Sequence, residues 1–252
     1  MKTFNIDEFV NLYEKYYFKL TEEEKKKYQN EMIARGINIL NPTSREWETK
    51  IENNLKKGIL DAYSVAWKFG IVYNGEDNLV VHGYRTYEYS KYELGDFCLR
   101  AVQIFYKKDG FEKRFIELSN SEDRPDGFGS VYLINAFFFL SQGAIPVYDY
   151  YAHTALKALL YDVNPQMIYC GCPSRDEFSR SKDEDLKNPR KHAMAVNLLN
   201  EYQYQLNQLK EMCDEESREK YFGKDGMFIT RELDRALWVY GHCKKKYSSE
   251  II

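Results

Sequence analysis

Asp149 is an acidic side chain at a position where a helix must begin. It follows Ile145-Pro146-Val147-Tyr148 and precedes the run YYAHTALKALL. Pro146 disfavours helix in the residue before it, and an Asp just ahead of a helical run is an N-cap, so the carboxylate is expected at the mouth of a helix. Earlier in the chain, Pro125-Asp126-Gly127-Phe128-Gly129-Ser130 is a turn signal, in which two glycines one residue apart let the backbone bend tightly and approach another group. Between turn and acid, Val131 to Leu140 reads VYLINAFFFL, apolar almost all round, which predicts a buried helix stopped by Gln142-Gly143. His153 comes one helical turn after Asp149 on the same face, where the two side chains can meet.

That order of parts resembles the helix-hairpin-helix superfamily of DNA glycosylases, and within it the prokaryotic 8-oxoguanine-DNA-glycosylase-like branch. Four segments carry the likeness: the hairpin Pro125 to Gly129; the acid in Pro146-Val147-Tyr148-Asp149; Ala66-Trp67-Lys68-Phe69-Gly70; and Arg231-Glu232-Leu233-Asp234-Arg235-Ala236-Leu237-Trp238-Val239-Tyr240. They stand in family order across most of the chain. The resemblance implies an all-α fold of two helical subdomains with a helix-hairpin-helix motif and a cleft between them. It also implies base flipping and hydrolysis of the N-glycosidic bond of a modified purine. On this reading Asp149 is catalytic, Gly127, Phe128, Gly129, Ser130 and Lys68 hold DNA, with Phe128 at the tip read as plugging the hairpin onto its neighbours in preference to intercalating, and Asn135, Tyr148, His153, Arg231 and Trp238 form the base pocket. No cofactor is implied beyond a monovalent cation on the hairpin carbonyls. Because the branch is linked with phage defence, the alternative is a catalytically inactive DNA- or nucleobase-binding component with protein partners from a defence operon.

The chain departs from the family at one position. Bifunctional members carry a Lys in the helix after the hairpin, and its amine forms a Schiff base with the sugar. The equivalent position falls near Val131, or at Ser130 or Asn135 when counted back from the acid, and none of these is Lys. The expected enzyme is therefore monofunctional, without lyase activity.

Positioning these residues falls to a chain of 252 residues, enough for one large domain or two small ones. Residues from about 1 to 95 with 228 to 252 are expected as one helical half, and about 96 to 227 as the hairpin half. The net charge of -3 and a pI near 5.9 do not advertise a nucleic-acid binder, so DNA would have to meet a local basic edge. Arg175, Arg180, Lys182, Arg190 and Lys191 in a polar connector are candidates for that edge. The 22 Tyr residues fit either base stacking or half-buried helix positions. MKTFNIDEFV turns acidic before an apolar run develops, and nothing approaches a membrane span, so a cytoplasmic protein is expected. Five cysteines without framework spacing fit reduced thiols, and Cys170-Gly171-Cys172 lacks a second pair for a metal site.

The periodicity predicts an amphipathic helix from Phe4 to Leu20, then a helix opened by a capping box at Thr21-Glu22-Glu23-Glu24 and stopped at Gly36. Thr43 with Glu46 opens a third, which is read as running through Trp67 and closing at Lys68 beside Gly70. Val72-Tyr73 and Leu79-Val80-Val81 around Asn74-Gly75 suggest a small hairpin. Gly95-Asp96 is read as capping a helix from Phe97 to Tyr106, and Phe111 to Leu118 as the first helix of the hairpin motif. A long helix is expected from Pro189 to Met212, a solvated stretch over Glu215 to Lys220, and a last helix after Phe228-Ile229-Thr230.

Overall fold

A computed structural model describes residues 4–39, 43–68, 72–73, 78–81, 87–125, 128–168 and 189–247. The protein is all-α, with one small sheet among the described residues. Its contacts fall into two compact units. The first comprises residues 1–17, 143–174 and 193–252, and the second 18–142 and 175–192.

In the first unit, α1 (Ile6–Tyr13) is capped by Asn5, whose side chain accepts from the Glu8 N–H, and it buries Ile6, Phe9 and Val10. A 3-10 turn, Glu14–Tyr16, interrupts what the periodicity reads as one helix, and α2 (Tyr17–Ala34) begins directly after it. Thr21 lies inside α2, where its hydroxyl donates to the Phe18 carbonyl at 3.2 Å, so the predicted capping box at Thr21 does not form. The chain returns to the first unit with α8 (Tyr150–Tyr161), most of α9 (Pro189–Glu211), α10 (Glu215–Tyr221) and α11 (Arg231–Gly241). The stretch read as merely solvated is thus a short helix. Its N-cap Asp214 accepts from the Ser217 N–H at 2.8 Å.

Helix α11 is the spine of this unit. Arg231–Gly241 packs along α8 on one side and α1 on the other, and Leu233, Ala236, Leu237 and Tyr240 are all fully buried. Phe9, Tyr13, Tyr240 and Tyr247 form an aromatic nest, with Phe9 edge-on to Tyr240 at 5.5 Å and to Tyr247 at 5.4 Å. Edge-to-face contact between quadrupoles favours that geometry and clamps the C-terminal segment onto α1.

The second unit holds most of α2 with α3 (Ser44–Lys56), α4 (Ala62–Trp67), β1 (Val72–Tyr73), β2 (Asn78–Val81), β3 (Tyr87–Ser90), α5 (Lys91–Phe105), α6 (Phe111–Ser119) and α7 (Ser130–Leu140). The capping box at Thr43 forms as read, with the Glu46 carboxylate 2.6 Å from the Thr43 N–H. The helix it opens does not reach Trp67. Gly58 takes φ +62° and ends it, and Asp61 caps α4 anew through the Ser64 N–H at 2.7 Å. The break leaves Ile59 exposed and not on a buried face. The strands form one antiparallel sheet, Val72 opposite Val80 and Leu79 opposite Tyr89. Helix α5 starts earlier than read, because Ser90 and Glu93 form a capping box that places Gly95-Asp96 inside the helix. α7 is buried nearly all round, from Leu133 through Leu140, as its composition predicts.

Candidate functional site

The turn between α6 and α7 occupies the place of the expected hairpin, though Asp126 and Gly127 lie outside the described residues. Gly129 is the N-cap of α7 in extended backbone, with no side-chain cap. Phe128 does not point outward. It is completely buried against Tyr89, Phe97 and Tyr132, at 5.6, 5.1 and 5.4 Å between ring centroids, so it plugs the turn onto α5 and β3 and cannot contact DNA. Arg124 pins the turn by donating to the Phe128 carbonyl. Ser130 is also interior, which removes its side chain from any DNA-facing set. Lys68 is the C-cap of α4, as read, half-buried and 5.8 Å from the Trp67 ring centroid.

Asp149 is the N-cap of α8, and its Oδ1 accepts from the Tyr151 N–H at 2.8 Å. The side chain is half-buried and in reach of solvent. The cap bond satisfies one of the first-turn N–H groups, and the helix N-terminus favours the negative charge. The next layer comes from the end of α11. His242 stacks on Tyr151 at 3.6 Å with 27° between the planes, and lies 4.1 Å from Trp238. Its Nδ1 donates to the Trp238 carbonyl at 2.8 Å. Burial pushes the His242 pKa down, while that hydrogen bond and the nearby Asp149 carboxylate hold it up. Trp238 is half-buried, with Tyr17 edge-on to it at 5.2 Å. The Asp149 carboxylate thus acts on an imidazole that is itself packed against two aromatic side chains. The sequence points to Asp149 and Trp238, but His242 escapes it. The signal available was its position one turn beyond Trp238 on the same helical face.

The other predicted pocket residues lie deeper. Tyr148 and His153 are fully buried and bonded to each other, the Tyr148 hydroxyl 2.9 Å from His153 Nδ1. His153 Nε2 is 3.1 Å from Gln205 Oε1, and the Gln205 amide nitrogen donates to Glu201 at 3.1 Å. That orientation of Gln205 makes its Oε1 the acceptor. His153 therefore carries its proton on Nε2 and accepts from Tyr148 at Nδ1. Lys157 closes the chain on Glu201 at 2.7 Å. Both ring nitrogens are committed elsewhere, so the expected meeting of His153 with Asp149 does not occur. Burial, with the Lys157 charge adding to it, lowers the His153 pKa to about 4. Arg231 is buried and paired with Asp234 on the same helix, and Asn135 is interior to α7. Tyr148, His153 and Arg231 are thus buried within the first unit and Asn135 within the second.

Arg175, Arg180 and Lys182 lie outside the described residues, as do the side chains of Arg190 and Lys191. Cys170 and Cys172 are outside them too. Among the described residues Cys98, Cys213 and Cys243 are free thiols, and burial lifts the first two to about 12. No helix among the described residues is long and apolar enough to cross a membrane, and no group of three or more His, Cys, Asp or Glu there could hold a metal ion.

The class defined so far is a helical protein of two compact units, one of which presents a helix-capping carboxylate beside an imidazole and aromatic faces. Comparison with protein-family models, with curated proteins and with solved structures returns no match.

Proposed function

We propose that the protein is a monofunctional DNA glycosylase of the helix-hairpin-helix kind, hydrolysing the N-glycosidic bond of a modified purine. The observation that carries the reading is Asp149: a solvent-reachable carboxylate on the N-cap of α8, bonded to the Tyr151 N–H and electrostatically coupled to His242, which packs on Tyr151 and Trp238. In this reaction the C1′–N bond breaks with its electron pair leaving on the base, and the sugar takes on oxocarbenium character. The Asp149 carboxylate stabilises that charge, water adds to C1′ and gives up a proton to the carboxylate, and the departing base is protonated from solvent. Trp238 and Tyr151 supply planar faces of the kind on which bases stack.

The turn ahead of α7 supports the same reading, since an N-terminus without a side-chain cap leaves backbone N–H groups for a phosphate. Ser130 and Asn135 stand at the alternative positions of the family's lysine, and neither can form a Schiff base. The test is incubation with duplexes carrying damaged or modified purines, scored for abasic sites and for strand cleavage without added base. Abasic sites without cleavage are expected, and Asp149→Asn should abolish them. If Asp149→Asn excises as well as the wild type, the proposal fails.

The net charge of -3 favours a second reading, a binding component that has lost the chemistry. It predicts salt-dependent DNA binding with no product from any lesion.

A further inference from the structure

Residues 242–247 run on from the end of α11 and are held at both ends. His242, the first of them, stacks on Tyr151 in the opening turn of α8. At the far end Lys246 Nζ lies 2.7 Å from the carboxylate of Asp162, the residue that follows α8, and the Tyr247 N–H donates to the Tyr240 hydroxyl at 2.8 Å. The Tyr247 ring sits edge-on to Phe9 at 5.4 Å. The segment is thus fastened beside both ends of α8, and its backbone is fixed before anything binds. Lys244 and Lys245 stand between the two fastenings with exposed side chains.

The charges of these two lysines are uncommitted. Lys157 pairs with Glu201, Lys220 with Asp7 and Lys246 with Asp162, whereas neither Lys244 nor Lys245 makes an ion pair among the described residues. In a chain of net charge -3, two adjacent ammonium groups without carboxylate partners make a local site for a ligand with several negative charges. They follow His242 by two and three residues, and His242 packs on the turn that Asp149 caps. Tyr150 and Tyr151 of that turn are 36% and 40% exposed. A nucleic-acid strand offers anionic oxygens to the lysines and planar bases to the tyrosines, while a lipid or acidic-protein surface offers the first without the second.

We infer that Lys244 and Lys245 form the edge that grips the phosphate backbone of the DNA strand on which Asp149 acts. The inference rests on the glycosylase reading for the identity of that strand. A carboxylate repels phosphates, and the two ammonium groups offset that repulsion while fixing the position of the strand without reading its sequence. Because the backbone that carries them is already fastened, binding orders two side chains and no loop.

Fluorescence anisotropy of the full chain on a labelled duplex carrying a tetrahydrofuran abasic analogue, titrated with salt, tests it without turnover. Lys244→Glu with Lys245→Glu is expected to weaken binding at least about tenfold at low salt, and to reduce the slope of log affinity against log salt by about two. Lys244→Arg with Lys245→Arg should keep both. As a control, Lys26→Glu with Lys27→Glu makes the same change of net charge at exposed positions of α2 in the second unit, and should alter affinity by less than about twofold. Circular dichroism checks that each variant folds. Equal losses from the two charge reversals, an unchanged salt slope, no duplex binding by the wild type, or lysine-dependent binding to phosphatidylserine vesicles with none to the duplex overturns the inference. Excision with an affinity indifferent to the two lysines sinks this inference alone, and lysine-dependent binding with no excision of any lesion sinks the enzyme reading alone.

Discussion

A Cβ built on Gly241 would stand 2.1 Å from the carbonyl oxygen of Tyr151. The end of α11 therefore lies directly on the first turn of α8, and this contact brings His242 to Tyr151 and into the field of Asp149. Only glycine permits it. Gly241→Ala drives a methyl into backbone that no rotamer change can relieve, and the expected cost is about 1–3 kcal/mol or more, read from denaturant unfolding. If the proposed excision activity holds, the same variant should lose it while still folding, because His242 and Tyr151 part.

Asp149 caps α8, and the proposed reaction gives its carboxylate a second role as charge stabiliser and proton acceptor; two substitutions separate the two. Asp149→Asn keeps a good N-cap and should leave the melting temperature nearly unchanged while removing excision. Asp149→Ala should lose about 1 kcal/mol of stability as well. Equal melting temperatures for the two variants would show that the cap bond to Tyr151 contributes nothing.

His153 ties folding to pH. Its pKa of about 4 in the folded protein lies below the ordinary 6.5, so the unfolded chain binds the proton more readily between those values. The contribution is fully present above pH 6.5 and is lost as pH falls towards about 4, a change of about 3 kcal/mol. Unfolding titrations over that range should show the slope, and His153→Leu should flatten it. Nitrogen-15 NMR should find the proton on Nε2, as the Gln205 acceptor requires.

Phe128 is a plug, and its variants should behave accordingly. Phe128→Ala is expected to cost about 3–5 kcal/mol of stability through the cavity left among Tyr89, Phe97 and Tyr132. DNA affinity measured well below the melting temperature should change little. A selective loss of affinity without a loss of stability would return this side chain to the DNA-contacting set.

What the sequence determined by itself was local. The cap of α3 by Thr43 and Glu46, the cap of α8 by Asp149, the all-round apolar α7 and the end of α4 at Lys68 each depend on residues within one helical turn of one another. The box at Ser90 and Glu93 is equally local, and it starts α5 ahead of Gly95-Asp96. Side-chain direction across elements is another matter. Phe128 is legible as a turn residue that plugs onto its neighbours, but only the packing shows that those neighbours are β3 and α5. His153 was visible on the face of Asp149, but Tyr148 and Gln205 claim both its nitrogens, and Gln205 comes from a different helix. His242 joins the site only because a glycine lets α11 touch α8. Periodicity and capping act over about one turn of chain, whereas the site is made by contacts between helices remote in sequence, which exist only once the helices have packed.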